Sequence, residues 1–242
     1  MIKVITLDFW NTIVDTAHGE VRRKERSEIF FRLASRYNPQ LSNNETDRAI
    51  SKSIEWFNQI WKNESRTVGS KQIIQFINSE LSISPNETDF VSMCELFEHG
   101  VLNHPPQLAP ELKNILPQLS ENFKLGIISD THFSPGHVLR RVLEKHDILQ
   151  FFGAFSFSDE LGVSKPHKKM FKNIMAQFNC TPSEMIHIGD LARTDIKGAS
   201  ELGISSILYY GINDEDKDSP GADYYIQSWT EVPKILTSLN NS

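Results

Sequence analysis

The fold of this chain is decided near its start, by the stretch Lys3-Val4-Ile5-Thr6-Leu7-Asp8-Phe9-Trp10-Asn11-Thr12. The stretch opens with β-branched and apolar residues, which are typical of a buried parallel strand. Asp8 follows this run, and ligands of open α/β sheets bind at the carboxyl ends of the strands. A carboxylate at that place can act as a nucleophile or as a metal ligand. Trp10 is neither an acid nor a base, so Asp8 lacks a titratable neighbour two residues later.

Beyond residue 105, segments typical of strands alternate with segments typical of helices. The strand segments are Lys124–Ser129, Ala154–Phe157, Met185–Ile188, Ser205–Tyr209 and Tyr224–Ile226. The helical segments are Ala109–Leu119, Pro135–Lys145, Lys168–Phe178, Asp195–Leu202 and Thr230–Leu239. This alternation predicts βαβ units and a parallel sheet with helices on both faces. A lone strand at residues 2–8 cannot fold by itself, so we expect it to join that sheet.

A block of different character separates the first strand from the rest of the sheet. From about residue 20 to residue 99, apolar residues such as Ile50, Ile54 and Phe57 recur at helical spacing, without a convincing strand. Helix boundaries are expected near Gly69-Ser70 and Ser84-Pro85-Asn86. Candidate N-caps there are Ser70 and either Ser84 or Asn86.

These patterns predict an α/β fold with two parts. Residues 1–13 and 105–242 are expected to form a doubly wound, Rossmann-like core with a parallel sheet. Residues 14–104 are expected to form an all-helical domain inserted into that core. At 242 residues, the chain is long enough to bury a substantial core.

The composition excludes several classes of protein. A net charge of −6 argues against a nucleic-acid partner, and the basic run Arg22-Arg23-Lys24-Glu25-Arg26 is interpreted as a solvated helix face. The sequence shows no signal-peptide pattern and no apolar stretch near the ~20 residues of a membrane span. Cys94 and Cys180 lie far apart, as in proteins of reducing compartments. We therefore expect a cytoplasmic protein without a membrane partner, and its oligomeric state stays open.

Polar residues that could carry chemistry lie at the ends of predicted strands or in a loop before a helix. Besides Asp8, Ser129 ends the segment Lys124–Ser129, and Lys165 precedes a proline and a helix. Asp190 ends a further strand, and Asp195 follows five residues later. Because the carboxyl ends of parallel strands lie at one edge of the sheet, these groups are expected to converge there.

In their order and context, these segments resemble the four motifs of the haloacid dehalogenase superfamily of hydrolases. The resemblance covers residues 1–13 and roughly 105–230, and the helical block resembles the inserted cap of that family. Each motif alone occurs often by chance, whereas all four in order at strand ends form a specific signal. The resemblance implies a hydrolase that acts on a small, phosphorylated substrate.

The resemblance also implies a role for each of the matching residues. Asp8 would attack the electrophilic centre of the substrate and form a covalent intermediate. Ser129 and Lys165 would hold the transferring group and offset its charge. Thr12 and Asp130 would join them in binding the substrate.

A magnesium ion is the cofactor that the resemblance implies. Its ligands would be Asp8, Asp190, Asp195 and the main-chain carbonyl of Trp10, an oxygen set that suits a hard cation. Asp195 has a second interpretation, because a carboxylate in the first turn of a helix is stabilised by the helix dipole. The acidic stretch 213–218 lacks the residues of a calcium loop and is interpreted as a solvated loop.

Trp10 leaves three hypotheses open. The phosphatases of the family usually carry an Asp at this position, which protonates the leaving oxygen and contributes ~10²–10⁴-fold to the rate. The favoured hypothesis is a phosphatase of weak or restricted activity, in which His132 or His167 supplies a proton or the leaving group needs none. The second is a 2-haloacid dehalogenase, because those enzymes resemble this chain in having an aromatic residue there. The third is a binding or regulatory module whose catalytic site has decayed.

The helical block is expected to determine the choice of substrate. The dehalogenases of the family use an arginine of the cap. Arg32 or Arg36 would be its counterpart here, although neither lies in a matching segment. Trp56, Trp61 and either Arg22 or Arg26 are further candidates for contact with a ligand. Helical spacing favours the two tryptophans as core residues of the block.

Overall fold

A computed structural model describes residues 1–241 and contains one sheet of six parallel strands. The strands are β1 Val4–Leu7, β2 Lys124–Ser129, β3 Phe152–Phe157, β4 Met185–Gly189, β5 Ser205–Tyr209 and β6 Tyr224–Ile226. Their spatial order is β3-β2-β1-β4-β5-β6, and every neighbouring pair is parallel. This order is that of the doubly wound Rossmann fold. The predicted α/β class is therefore confirmed.

The order of the strands creates a crevice between β1 and β4. The chain continues from β1 to β2 and β3 on one side, and β4, β5 and β6 lie on the other side. In open α/β sheets, ligands bind outside the carboxyl ends of the strands where the order reverses. Asp8 follows β1 and Asp190 follows β4, so the fold places both carboxylates at this crevice.

The two central strands are buried along their whole length. Both β1 and β4 consist entirely of buried residues, as expected for strands that are covered by helices on both faces. Thr6 in β1 and His187 in β4 are the polar exceptions, and they are partners in the register of the sheet. A polar pair at this depth must form its hydrogen bonds within the protein.

Contacts between residues divide the described chain into two units. The sheet unit contains Met1–Thr16, Pro106–Asp130 and the chain from Leu143 onward. The helical unit contains Ala17–Pro105 and Thr131–Val142. The division falls within helix α6, Gly136–Lys145.

Four helices form most of the helical unit: α1 Gly19–Ala34, α2 Asn43–Glu64, α3 Ser70–Glu80 and α4 Glu87–Asn103. They enclose an apolar core that includes Phe30, Phe57 and Phe97, and Phe133 joins it. Trp56 and Trp61 are partly buried against this core, as their helical spacing indicates.

The N-cap predictions for the helical unit have mixed outcomes. Asn86 caps α4, because its side chain accepts a hydrogen bond from the Asp89 amide. The prediction for Ser70 is wrong, since Gly69 occupies the N-cap position of α3. The hydroxyl of Ser70 instead donates to Glu98, and this tertiary hydrogen bond competes with a capping role.

The remaining helices belong to the sheet unit or, for α6, to both units: α5 Leu112–Asn122, α6, α7 Ser158–Leu161, α8 Lys168–Phe178, α9 Lys197–Ser200 and α10 Val232–Asn241. The helix predicted to begin at Ala109 begins at Leu112 instead. Pro110 disfavours a helical conformation at Ala109, and the backbone of Glu111 is left-handed, with φ 69°. The predicted helix from Asp195 is preceded by a π-helical turn, Ala192–Ile196. Among residues 1–241, no helix combines the length and the apolar content that a bilayer span requires.

Candidate active site

Three carboxylates and one ammonium group meet at the carboxyl edge of the sheet. Lys165 Nζ lies 2.5 Å from Asp8 Oδ1 and 2.7 Å from Asp195 Oδ1. Oxygen atoms of Asp8, Asp190 and Asp195 all lie within 4.8 Å of one another. All four residues are buried, and Lys165 is only 2% exposed. The structure therefore brings together the nucleophile, the cation and both acids of the sequence prediction.

The loop before α8 holds Lys165 in place. Its backbone N–H donates a hydrogen bond to Asp130 Oδ1 at 2.8 Å. The next residue, Pro166, lies against Gly198 of α9, where an added Cβ would be 3.2 Å from Pro166 Cα and 2.4 Å from the ring of Phe171. Asp130 thus orients the backbone of the lysine loop, a contact that the sequence does not reveal.

Asp195 is held by hydrogen bonds to both of its oxygens. Oδ2 accepts from the Leu191 amide at 3.2 Å and from the Thr194 hydroxyl at 3.1 Å. Oδ1 accepts from Lys165 and from His187. The carboxylate also packs so closely on Gly189 that an added Cβ there would lie 2.3 Å from Asp195 Cγ. Only glycine permits this approach.

His187 is a member of the site that sequence reasoning missed. Its Nε2 lies 2.9 Å from Asp195 Oδ1 and its Nδ1 lies 2.9 Å from Thr6 Oγ1. Burial lowers the pKa of His187, so the ring is neutral. Because a carboxylate only accepts, the proton is on Nε2, and Thr6 donates to Nδ1. The signal in the sequence was a histidine within a strand that is otherwise apolar.

One ammonium group cannot neutralise three buried carboxylates. Burial and the charges of Asp195 and Asp190 raise the pKa of Asp8 well above its ordinary value, although Lys165 opposes them. Burial would also raise the pKa of Asp195, but Lys165 and the hydrogen bond from His187 outweigh burial and lower it. Burial would lower the pKa of Lys165, but Asp195 and Asp8 outweigh burial and raise it. Lys165 is therefore charged and bound to Asp195, and Asp8 lacks full compensation.

Asp190 is fixed by two asparagines, neither of which the sequence analysis selected. Asn213 Nδ2 donates to Asp190 Oδ2 at 2.9 Å, and the side chain of Asn11 also donates to this carboxylate. Burial and the charge of Asp195 still raise the pKa of Asp190 to about 7. Asn11 has a left-handed backbone with φ 54°, which directs the chain around the end of β1.

The acidic loop at residues 213–218 is therefore more than a solvated loop. Asn213 binds Asp190, and Asp216 accepts a hydrogen bond from the Ala192 amide at 2.7 Å. Asp214 and Glu215 are exposed, as expected. The loop supports the strand end that carries Asp190.

The donors at this edge fit a divalent cation. With all three carboxylates ionised, the site would carry a net charge of −2 beside the one ammonium group, and one such ion would balance it. Carboxylate oxygens are the ligands that magnesium prefers. Asp8 and Asp190 suit this role better than Asp195, because both oxygens of Asp195 already accept hydrogen bonds.

The remaining predicted residues lie near the ends of β1 and β2. Ser129 is buried at the end of β2, and its hydroxyl donates to the Asp130 carbonyl at 3.2 Å. Thr12 is buried, and its hydroxyl has no hydrogen-bond partner among residues 1–241. Trp10 is partly exposed and packs edge-on against Phe9, with ring centroids 5.1 Å apart.

Neither histidine that was considered as a proton donor suits that role. Burial and the charge of Arg26 lower the pKa of His132 to about 3, so its ring is neutral, and it stacks on Phe133. His167 caps α8, and its Nδ1 accepts a hydrogen bond from the Lys169 amide. The structure therefore places no imidazole acid in the described part of the sheet edge.

Comparisons with known proteins find relatives in both sequence and fold. The chain is 28% identical over 244 aligned positions to a glyceraldehyde 3-phosphate phosphatase of Pyrococcus furiosus, covering 98% of this chain and 93% of that protein. A crystal structure of a phosphatase of the family from Thermococcus onnurineus superposes with a TM-score of 0.70 at 20% identity, covering 97% and 98% of the two chains. A 2-haloacid dehalogenase of Pseudomonas syringae gives 0.72 at 20% identity, covering 98% and 99%.

The two solved structures establish the fold only, because their sequence identity is low and they belong to different kinds of hydrolase. The family itself rests on a match of residues 2–203 to the model of haloacid dehalogenase-like hydrolases. Since that match spans most of the chain, this protein belongs to the haloacid dehalogenase-like hydrolases.

Proposed function

We propose that this protein hydrolyses a small phosphomonoester through a phosphorylated Asp8, with Mg²⁺ bound at the same edge of the sheet. The contact of the Lys165 ammonium group with Asp8, 2.5 Å long and buried, carries this proposal. Lys165 opposes the rise in the pKa of Asp8 that burial and the neighbouring carboxylates cause, and so favours the ionised form that a nucleophile requires. The same cation lies where the negative charge of a phosphoryl group would develop.

The reaction has two displacements at phosphorus. First, a carboxylate oxygen of Asp8 forms a bond to phosphorus, and the bond from phosphorus to the leaving oxygen breaks with its electron pair on that oxygen. Water then attacks the phosphorus of the aspartyl phosphate, the bond to Asp8 breaks, and the carboxylate returns as water loses a proton. Splitting one difficult step into two is the benefit of covalent catalysis.

Each predicted residue has a part in this proposal except Asp130, which orients the loop of Lys165. Ser129 and Thr12 supply hydroxyl donors for the phosphoryl oxygens, and Lys165 supplies charge. Asp8, Asp190 and the main-chain carbonyl of Trp10 would hold the magnesium ion, which would neutralise phosphoryl charge. We assign Asp195 to the support of Lys165, because both of its oxygens are occupied by other donors.

Trp10 restricts the choice of leaving group. An indole cannot protonate a departing alkoxide, and no histidine replaces it at this edge within residues 1–241. Esters whose leaving oxygen is stable as an anion are therefore favoured. The name of the Pyrococcus furiosus relative supports a small phosphorylated substrate. We further propose that the helical unit serves as the cap that selects it.

A comparison of three substrates tests this function. The wild-type protein is assayed with p-nitrophenyl phosphate, an alkyl phosphate and a 2-haloacid, each with Mg²⁺ and with EDTA. We expect Mg²⁺-dependent hydrolysis of the activated ester, and slower or undetectable hydrolysis of the alkyl ester. Asp8→Asn should abolish activity, whereas the exposed control Asp214→Asn should retain it.

Two other results would replace the proposal. Release of halide in EDTA would identify a dehalogenase, whose leaving group needs no proton. No activity with any of these substrates, in a protein that still binds Mg²⁺, would identify a binding or regulatory module.

A further inference from the structure

Two histidines and a glutamate converge within the helical unit. Glu98 and His99 lie on α4, and His137 is the second residue of α6. One ring nitrogen of each histidine and one carboxylate oxygen of Glu98 all lie within 4.8 Å of one another. All three residues belong to the helical unit, and none of them is among the residues assigned to phosphoryl transfer.

The two imidazole rings contact each other directly. Their centroids are 6.2 Å apart, and their planes are nearly perpendicular, at 87°. Glu98 and His99 are half-buried, whereas His137 is exposed. An ion from solvent can therefore reach the three side chains in the folded protein.

A hydrogen bond from a third helix orients the carboxylate. The hydroxyl of Ser70, a buried residue at the start of α3, donates to Glu98 Oε1. A carboxylate accepts at both of its oxygens, so this bond leaves Glu98 with a second oxygen for a cation. Hydrogen-bond partners of this kind orient the carboxylate ligands of metal ions.

The donor set indicates the class of metal. Imidazole nitrogen suits zinc, copper, nickel and iron ions, whereas Mg²⁺ and Ca²⁺ prefer oxygen ligands. Two histidines and one glutamate are a set that binds zinc and leaves its fourth position to water. The set in the helical unit therefore differs in kind from the three carboxylates at the sheet edge, which suit Mg²⁺.

We propose that Glu98, His99 and His137 form a second metal site that binds Zn²⁺, with water as its fourth ligand. Ligand atoms at the usual ~2.0–2.2 Å from zinc lie roughly 3.3–3.6 Å apart in a tetrahedron. Atoms that already lie within 4.8 Å of one another reach this spacing by small side-chain rotations. The bound ion joins the start of α6 to α4 and so stabilises the helical unit.

Zinc binding is measured on the full-length protein by competition with a chromophoric chelator. Excess Mg²⁺ is present throughout, to occupy the carboxylates of the sheet edge. Ser70→Ala keeps all three ligands and loses only the bond that orients Glu98, so it should weaken zinc binding ~10–100-fold. His99→Gln and His137→Gln each remove a ligand and should weaken binding by more than Ser70→Ala does.

Two control variants separate this site from other places where zinc could bind. His104→Gln removes a histidine of the same unit that contacts a single carboxylate, Glu25. Asp190→Asn removes a carboxylate of the sheet edge. Both variants should bind zinc as tightly as wild type. Equal zinc affinity in wild type, His99→Gln and His137→Gln would overturn the proposal, and so would loss of binding in Asp190→Asn alone.

Cobalt substitution gives a second readout that does not use enzymatic activity. Co²⁺ in a four-coordinate site absorbs visible light strongly, whereas Co²⁺ surrounded octahedrally by oxygen absorbs weakly. In excess Mg²⁺, we expect the strong band in wild type and His104→Gln and its loss in His137→Gln. Urea unfolding without metal should give the same stability for His137→Gln and wild type, because His137 is exposed. A weak spectrum that is the same in all three proteins would overturn the proposal, whether or not the protein is a phosphatase.

Discussion

At the scale of single residues, a row of hydrogen bonds connects the buried sheet to Asp8, the proposed nucleophile. It runs from Thr6 through His187 and Asp195 to Lys165, which contacts Asp8. Every member is buried, so a polar atom that loses its hydrogen bond here cannot replace it with one to water. We therefore expect the reactivity of Asp8 to depend on a histidine that does not touch it.

A positioning role for His187 predicts different effects of two substitutions. His187→Leu should destabilise the protein by about 1–3 kcal/mol and lower kcat more than it raises KM, because Asp195 loses a donor. His187→Gln should restore part of kcat, since its amide can donate to Asp195. Urea unfolding and steady-state kinetics measure both effects.

A suitable control is His146→Gln, because His146 binds the carbonyl of Pro106 in the sheet unit, away from Asp195. Its kcat should stay close to that of wild type. Equal loss of kcat in His187→Leu and His187→Gln, without rescue, would contradict the positioning role.

Trp10, two residues after the proposed nucleophile, predicts a change in leaving-group dependence. Trp10→Asp would introduce an acid, and acid–base help is worth ~10²–10⁴-fold where the leaving group needs a proton. We therefore expect the rate with an alkyl phosphate to rise more than the rate with p-nitrophenyl phosphate. Trp10→Asn has a side chain of nearly the same size without the acid, and it should not show this difference. Equal changes with both substrates would refute the account of Trp10.

At the scale of elements, the strands were predictable because each is a short apolar run between polar segments. Strands β2, β5 and β6 have the predicted bounds. Strand β3 begins two residues earlier than predicted, and β4 ends one residue later than predicted. The motif residues were predictable because parallel strands end at one edge. Asn11, Asn213 and His187 were not, since their roles depend on contacts between distant segments.

The first helix of the helical unit shows where sequence patterns fail. The run from Arg22 to Arg26 was interpreted as a solvated face, but Arg22 is buried and the guanidinium of Arg26 packs on two phenylalanine rings, Phe97 and Phe133. Arg23 and Lys24 are exposed, as predicted. A charge pattern cannot reveal which long side chains lie along apolar surfaces.

The turn after β4 predicts a steric effect at Gly189. In Gly189→Ala, the new Cβ would lie 2.3 Å from Asp195 Cγ, so the carboxylate or the backbone must shift. We expect a loss of about 1–3 kcal/mol in the free energy of unfolding and a decrease in kcat. Denaturant unfolding and kinetic assays measure the two quantities.

Gly19→Ala is a matched control, because an added Cβ there would have only an ordinary contact, 3.8 Å from Arg22 Nη2. It should be neutral or slightly stabilising. Wild-type stability and activity in Gly189→Ala would show that the close packing on Asp195 is unimportant.

At the scale of the whole molecule, the three carboxylates gathered at the sheet edge predict a link between folding and metal binding. A cation that binds the native state alone raises stability by about 1.4 kcal/mol at ten times its dissociation constant. We therefore expect Mg²⁺ to raise Tm and EDTA to reverse the rise. Asp190→Asn should weaken the effect, whereas Asp214→Asn at an exposed position should not. An equal rise in all three proteins would contradict a metal site at Asp190.

The fold alone does not determine the reaction. The solved structures that it resembles include both a phosphatase and a dehalogenase, with TM-scores of 0.70 and 0.72. Function therefore rests on the site, where Asp8, Lys165 and Asp190 form an arrangement suited to phosphoryl transfer. The sequence predicted these residues, and the structure adds the contacts that hold them.

The most direct test of this account is the mass of the peptide that contains Asp8 during turnover. The protein is mixed with p-nitrophenyl phosphate and Mg²⁺, quenched in acid, digested and analysed by mass spectrometry, with Asp8→Asn as the control. We predict a peptide heavier by one phosphoryl group, with the modification on Asp8, that is absent in the variant. Phosphate release without this modification, or a modification on another residue, would contradict Asp8 as the nucleophile.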